Sequence, residues 1–140
     1  MAALIGTSDA YLSPADVTKH INLVNIPLAV AALMVIYRVP GVGPSTHLKL
    51  NGTVLAQIFA GQIATWNDPA IKNLNPGVTL PGTAIVLVHR ADSSGSTFLF
   101  TSYLNDQDAS GWPSSDIGTT ITWPSALWIA RNQFSRSQAS

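Results

Sequence analysis

Blocks of apolar residues, separated by turn residues, predict short strands and helices along the chain. Residues 2–7 predict a strand. Ser13 followed by Pro14 predicts a helix start, since serine caps helices and proline favours their first position, and this helix should reach about His20. The run Leu28–Val39 has neither polar alternation nor a helical stripe. It therefore predicts a strand buried on both faces, as in parallel sheets.

The middle of the chain predicts two helices and a further strand. An apolar helical face precedes a glycine that would end the helix: Val54, Leu55, Ile58, Phe59 and Gly61. The pair Asn67 and Asp68, followed by Pro69, predicts a shorter helix that the turn Asn75–Gly77 would end. Ile85–Val88 predict a strand. This order of strands and helices predicts an α/β fold.

Composition limits what the chain can recognise. Its 140 residues fit one domain or one lobe of a larger protein. Charged residues are 10% of the chain, seven basic and seven acidic, so no broad field attracts nucleic acid. Cysteine is absent, and the three histidines lack the spacing of metal ligands, so neither a metal nor a cofactor is expected. No signal peptide is visible, and the apolar run from Leu28 to Tyr37 is too short to span a membrane.

The stretch IVLVHRADSSGSTFLFTSYL, residues 85–104, carries the candidate chemistry. The first backbone N–H groups of a helix have no partner within it and bind anions. Arg90 offers a planar fork for two oxygens of a phosphate or carboxylate, and Asp92 would hold that fork in place. Further donors would come from the helix start: Ser94, Gly95 and Ser96. An ordinary helix cap with a local ion pair fits these residues equally well.

Three blocks together resemble one protein family. They are GTSDAYLS at 6–13, LKLNGTVLAQIFAGQIATWNDPAIKNLNPGVTLPGTAI at 48–85, and VHRADSSGSTFLFTSYL at 88–104. In this order they resemble the substrate-binding protein of the high-affinity phosphate ABC transporter. Members of that family are two-lobed α/β receptors that close around one phosphate at the hinge. The resemblance implies a partial type II periplasmic-binding-protein fold, mostly one lobe, with a mixed sheet flanked by helices.

The resemblance also implies how the chain is divided. Residues 1–38 would be a remnant of the first lobe and the hinge crossover, and residues 39–125 a partial second lobe. Residues 126–140 depart from the family pattern as a tail. Because family members are much longer, we expect a truncated fragment whose phosphate binding is weakened or lost. Part of Leu28–Val39 should then expose apolar sheet surface and favour self-association.

Roles for individual residues follow from the same resemblance. Asp9 would accept a hydrogen bond from the protonated anion. Arg90 would bind the anion, with Asp92 orienting it and with helix-start donors from Ser94, Gly95 and Ser96. Because phosphate at neutral pH keeps a proton that sulfate lacks, an accepting carboxylate could reject sulfate by about 10⁴- to 10⁵-fold. Ser93 stands where the family usually has glycine, so the turn would be strained if it required a positive φ.

The predicted function is therefore binding of inorganic phosphate for uptake by an ABC transporter, without enzymatic activity. Its partners would be phosphate and the membrane permease subunits, with no nucleic acid. Its location would be periplasmic, or at the cell surface as a lipoprotein. Two alternatives stay open: a truncated gene product without activity, and an enzyme acting on a phosphorylated small molecule. The enzyme would need a general base near Arg90, and none is evident.

Overall fold

A computed structural model describes residues 6–124 and the backbone of residues 128–131. Its helices and strands follow one another in this order: α1 Pro14–Lys19, α2 Gly52–Phe59, α3 Pro69–Leu74, β1 Leu87–Arg90, α4 Gly95–Gln107 and β2 Trp128–Arg131. A short 3-10 turn, Ser114–Asp116, lies between α4 and β2. Within the described ranges, no helix is both long and apolar enough to cross a membrane.

The helix starts form where capping residues predict them. Ser13 caps α1 by accepting the Asp16 N–H at 3.1 Å, and the Asp16 carboxylate accepts the Ser13 N–H at 3.1 Å. Asn51 caps α2 and Asp68 caps α3 by the same kind of bond, each at 2.8 Å. Such caps contribute about 1 kcal/mol each, because they satisfy N–H groups that the helix itself leaves unpaired.

Glycines end two of these helices. Gly61 follows α2 with φ 78° and Gly77 follows α3 with φ 87°, both in the left-handed region that residues with a side chain rarely adopt. The predicted ends of both helices are therefore confirmed.

The core lies on two sides of α2. On one side, Val54 and Ile58 pack with apolar residues from α3 and the chain around β1: Ile63, Ile71, Leu80, Ile85 and Leu87. On the other side, Ala56 packs against Leu104 of α4 and against Trp112, which is fully buried. Burial of each large apolar side chain contributes about 1.5–3 kcal/mol. Helix α2 thus fixes the position of β1 relative to α4.

The described sheet consists of two parallel strands. Leu87 pairs with Trp128 and Arg90 with Arg131. The strand predicted at Ile85–Val88 begins two residues later, because the Ile85 N–H bonds to the Ala64 carbonyl at 2.8 Å instead of joining the ladder. Strand β2 comes from the predicted tail, while residues 125–127 and 132–140 of that region lie outside the described residues. The mixed sheet stays a prediction.

The predicted strand at Leu28–Val39 is wrong. The segment has no regular structure, and most of its apolar side chains are exposed; Val30 is 101% exposed and Ile36 is 90% exposed. A strand requires backbone partners on a neighbouring strand, and no described residue bonds to the backbone of residues 28–36. Only its end joins the core, through buried Val39. The expected apolar surface is exposed, but on an irregular segment and not on a sheet.

The strand predicted at residues 2–7 is not found either. Residues 6 and 7 are not in a strand, and residues 2–5 lie outside the described part of the chain.

Candidate functional site

A short turn between β1 and α4 holds the candidate site. Strand β1 ends at Arg90 and α4 begins at Gly95. Ser94 closes the turn, since its Oγ accepts the Thr97 N–H at 3.4 Å and its own N–H donates to the Thr119 carbonyl at 2.9 Å. Ser94 is 4% exposed. The turn is therefore anchored both to the helix and to the loop that follows the 3-10 turn.

The Arg90 guanidinium is held on three of its N–H groups. Nε donates to Oδ1 of Asp92 at 3.1 Å, Nη2 donates to Oδ2 of Asp92 at 2.5 Å, and Nη1 donates to Oγ of Ser94 at 2.7 Å. The bond to Asp92 is the largest cause that raises the pKa of Arg90 above its usual range. A guanidinium carries five N–H groups, so two remain for a ligand. The orienting contact expected of Asp92 is present.

Asp9 lies at the first residue of α4. A Cβ placed on Gly95 would be 3.0 Å from the Asp9 Cβ and 3.1 Å from the Ala10 nitrogen, so the glycine permits this close approach. The negative charge of Asp9 also raises the pKa of Arg90. The structure therefore brings Asp9, Arg90 and Gly95 to one place, although they come from distant parts of the sequence.

These groups form a set of donors beside one acceptor. The N–H groups of Gly95 and Ser96 belong to the first turn of α4, where the helix supplies no acceptor. The Ser94 Oγ accepts two bonds, which leaves its own proton to donate. One arginine and two aspartates give the site one net negative charge. An anion would thus be bound by directed hydrogen bonds and the helix dipole, and not by an excess of positive charge.

Ser93 causes no backbone strain. No non-glycine residue in the described ranges has a positive φ, so the turn accepts serine where the family usually has glycine.

Two contributors were not predicted. The Thr119 carbonyl holds the Ser94 N–H, and the Tyr11 ring meets the Phe98 ring edge-on at 5.5 Å between centroids. A backbone carbonyl carries no sequence signal, and Tyr11 and Phe98 are too far apart in sequence for any periodicity to connect them.

Two shallow cavities in the described part of the chain both lie away from this site. One, of about 330 Å³, is lined by apolar residues of α2, α4 and the irregular segment 28–36: Leu33, Val35, Leu55, Leu99, Phe100 and Tyr103. The other, of about 280 Å³, is lined by the loops around Gly41 and Gly77. The candidate site is instead an open surface, with Asp9 exposed and the Arg90 side chain 30% exposed.

The neighbouring histidine belongs to a packing contact. The His89 ring lies 5.0 Å from the Trp123 ring, and its Nδ1 lies 2.7 Å from the Arg90 carbonyl oxygen. In residues 6–124, no three His, Asp or Glu side chains are grouped closely enough to hold a metal ion.

Comparisons with known proteins give the same family as the sequence blocks. The chain is 38% identical to Phosphate-binding protein PstS of Xylella fastidiosa (strain Temecula1) over 122 residues, 87% of this chain and 33% of that protein. It is 38% identical to Phosphate-binding protein PstS of Pasteurella multocida over 119 residues, 85% of this chain and 34% of that protein. For Phosphate-binding protein PstS of Methanocaldococcus jannaschii the identity is 42% over 100 residues, 70% of this chain and 25% of that protein.

The chain thus spans about a third of the length of the first two of these relatives, all of which are named as binding proteins and not as enzymes. The resemblance predicted from the three sequence blocks is confirmed. The profile of the PBP superfamily domain matches residues 2–136, nearly the whole sequence. By this match the chain belongs to the PBP superfamily.

Proposed function

We propose that this chain binds inorganic phosphate, as part of the solute-binding component of an ABC phosphate transporter. One observation carries the proposal. Asp92 and Ser94 hold the Arg90 guanidinium at the start of α4, and Asp9 lies beside it. The names of the relatives support the same ligand. The partners would be the permease subunits, and the location would be periplasmic or at the cell surface.

The finer architecture belongs to the same proposal. Residues 1–38 would come from the first lobe and hinge of a type II binding-protein fold. Residues 39–125 would form part of the second lobe, with its mixed sheet. The ligand would then lie between a carboxylate from one lobe and the Arg90 turn of the other.

The chemistry of selection rests on Asp9. The two free N–H groups of Arg90 and the N–H groups of Gly95 and Ser96 would bind phosphate oxygens, and the Ser94 hydroxyl would add a further donor. The remaining P–OH would donate to the Asp9 carboxylate. Sulfate has no such proton, so its oxygen would face the carboxylate oxygen without a hydrogen bond between them. Asp9 would therefore discriminate between the anions more than it adds attraction.

Binding by this chain should be weaker than micromolar. Each charge-assisted hydrogen bond contributes about 1.5–3 kcal/mol where water is excluded. Here Asp9 is exposed and the Arg90 and Asp92 side chains are 30% and 33% exposed, so water competes for the same groups.

Amide chemical shifts of Gly95 and Ser96, followed while phosphate or sulfate is added, test the proposal. We expect phosphate to shift both amides and sulfate to shift them less. Arg90→Ala should abolish the response to both anions, and Asp9→Asn should bring the two affinities together. Lys72→Ala, a change in α3 away from the site, is the matched control for loss of a positive charge.

Equal affinity of the unaltered chain for both anions would refute the proposed selection. No response to either anion would favour a chain without binding activity. Micromolar or tighter phosphate binding would contradict the expected weakness.

A further inference from the structure

The geometry points to Tyr11 as a positioning residue for Asp9. Its ring packs on Phe98 and holds the loop that carries Asp9, residues 8–11, against the first turn of α4. This inference rests on the proposed phosphate binding, because Asp9 acts there as the group that selects phosphate.

A local hydrogen bond shapes the loop. Within it, the Ala10 N–H donates to the Ser8 Oγ at 3.1 Å, which shapes the turn but does not tie it to the rest of the protein. Helix α1 follows the loop and buries none of its residues. The ring contact with Phe98 and the close approach to Gly95 join this loop to α4.

Both contacts lie on one face of α4. Gly95 and Phe98 are three residues apart, a spacing that places them next to each other along a helix surface. Gly95 provides the room for Asp9, and Phe98 provides the apolar surface for Tyr11. Together, these two contacts set the position of the Asp9 carboxylate relative to Arg90.

The contact is an edge-to-face ring pair, with an interplanar angle of 69°. Tyr11 is 54% exposed, so the ring covers Phe98 while its hydroxyl needs no buried partner. Beyond the burial of apolar area, the interaction between two such rings changes an equilibrium constant by about 2- to 12-fold. Phenylalanine at position 11 should therefore keep the contact with Phe98, and alanine should lose it.

The effect should be specific for phosphate. If Tyr11 acts through Asp9, removal of its ring weakens phosphate binding by about 2- to 12-fold and does not weaken sulfate binding, because sulfate donates nothing to Asp9. A merely structural role would weaken binding of both anions alike.

Two measurements on the full chain test this. The first is the nuclear Overhauser effect between the Asp9 Hβ and Gly95 Hα protons without ligand, which reports the seated loop. The second is the titration of the Gly95 amide with phosphate and with sulfate. The variants are Tyr11→Ala and Tyr11→Phe, with Tyr103→Ala as the control for loss of a partly exposed tyrosine from another site.

We expect the Overhauser effect and phosphate affinity to persist in Tyr11→Phe and Tyr103→Ala, and both to fall in Tyr11→Ala. Persistence of both in Tyr11→Ala would overturn the inference, as would an equal loss of phosphate and sulfate affinity. If the unaltered chain binds neither anion, the proposed function fails. The Overhauser effect still decides whether Tyr11 seats the loop.

Discussion

Thr101 offers a direct test of how the candidate site is supported. Its side chain is fully buried on α4, and its hydroxyl donates to the Thr97 carbonyl at 2.9 Å. The same oxygen accepts the Gly118 N–H at 3.2 Å. The next residue, Thr119, accepts the Ser94 N–H at 2.9 Å. Thr101 thus holds the loop that in turn holds the cap of α4.

Thr101→Val keeps the shape of the side chain and removes the hydroxyl. The Gly118 N–H then loses its acceptor, and a buried unsatisfied donor costs about 1–3 kcal/mol. Gly118 is half-buried, and the new methyl adds apolar contact, so we expect a loss of unfolding free energy in the lower part of that range, about 1–2 kcal/mol. For a chain of this size this corresponds to a fall in Tm of about 3–6 °C.

Denaturant unfolding followed by circular dichroism measures the change in free energy. Hydrogen exchange at the Gly118 and Ser94 amides reports where it arises, and exchange at both should accelerate. Thr120→Val, an exposed threonine in the same loop, is the control and should leave both quantities unchanged. Unfolding free energy equal to that of the unaltered chain, with unchanged exchange at Gly118, would refute this account of the loop.

Three further predictions follow from the described contacts. Arg90→Lys keeps the charge but cannot supply the fork. Because water competes at this partly exposed site, the loss of about one hydrogen bond to the anion should weaken phosphate binding by about 2- to 12-fold in the Gly95 amide titration. Equal affinity of the Arg90→Lys variant and the unaltered chain would count against bidentate binding. Hydrogen bonds from the Ser13 side chain and backbone lower the pKa of Asp16, so this contribution to α1 is present above the unfolded pKa and lost as pH falls through the lower folded value. Amide shifts of α1 should show this, and Ser13→Ala should reduce it, because only the backbone bond then remains. The exposed apolar segment should cause concentration-dependent sedimentation that Val30→Asp reduces and Lys72→Asp does not; a monomer at every concentration would contradict this.

Local features of the fold could be predicted from the sequence because their causes are local. Ser13 with Pro14, and Asp68 with Pro69, form their caps within one helical turn. The site turn is similar, since Arg90, its aspartate and the capping serine lie within five residues of each other.

Features that depend on distant partners could not be predicted in this way. The run Leu28–Val39 has the composition of a buried strand, but pairing requires a neighbour that composition does not reveal. The approach of Asp9 to α4 came from the family resemblance and not from residue patterns. The contact of Tyr11 with Phe98 had no signal of either kind.

The irregular segment 28–36 lies between Asp9 and Arg90 in the sequence and is open to proteases. Between Lys19 and Arg38 the chain contains no further lysine or arginine, so trypsin has no cleavage site there, while leucine, methionine and tyrosine suit a chymotrypsin-type protease. Proteases bind their substrates as extended strands, and no described residue bonds to the backbone of residues 28–36, which leaves that backbone available to a protease. A single cut would leave Asp9 and Arg90 on separate polypeptides. The contact between the Asp9 loop and α4 is intramolecular in the intact chain, and it would then become a bimolecular association between two dilute fragments.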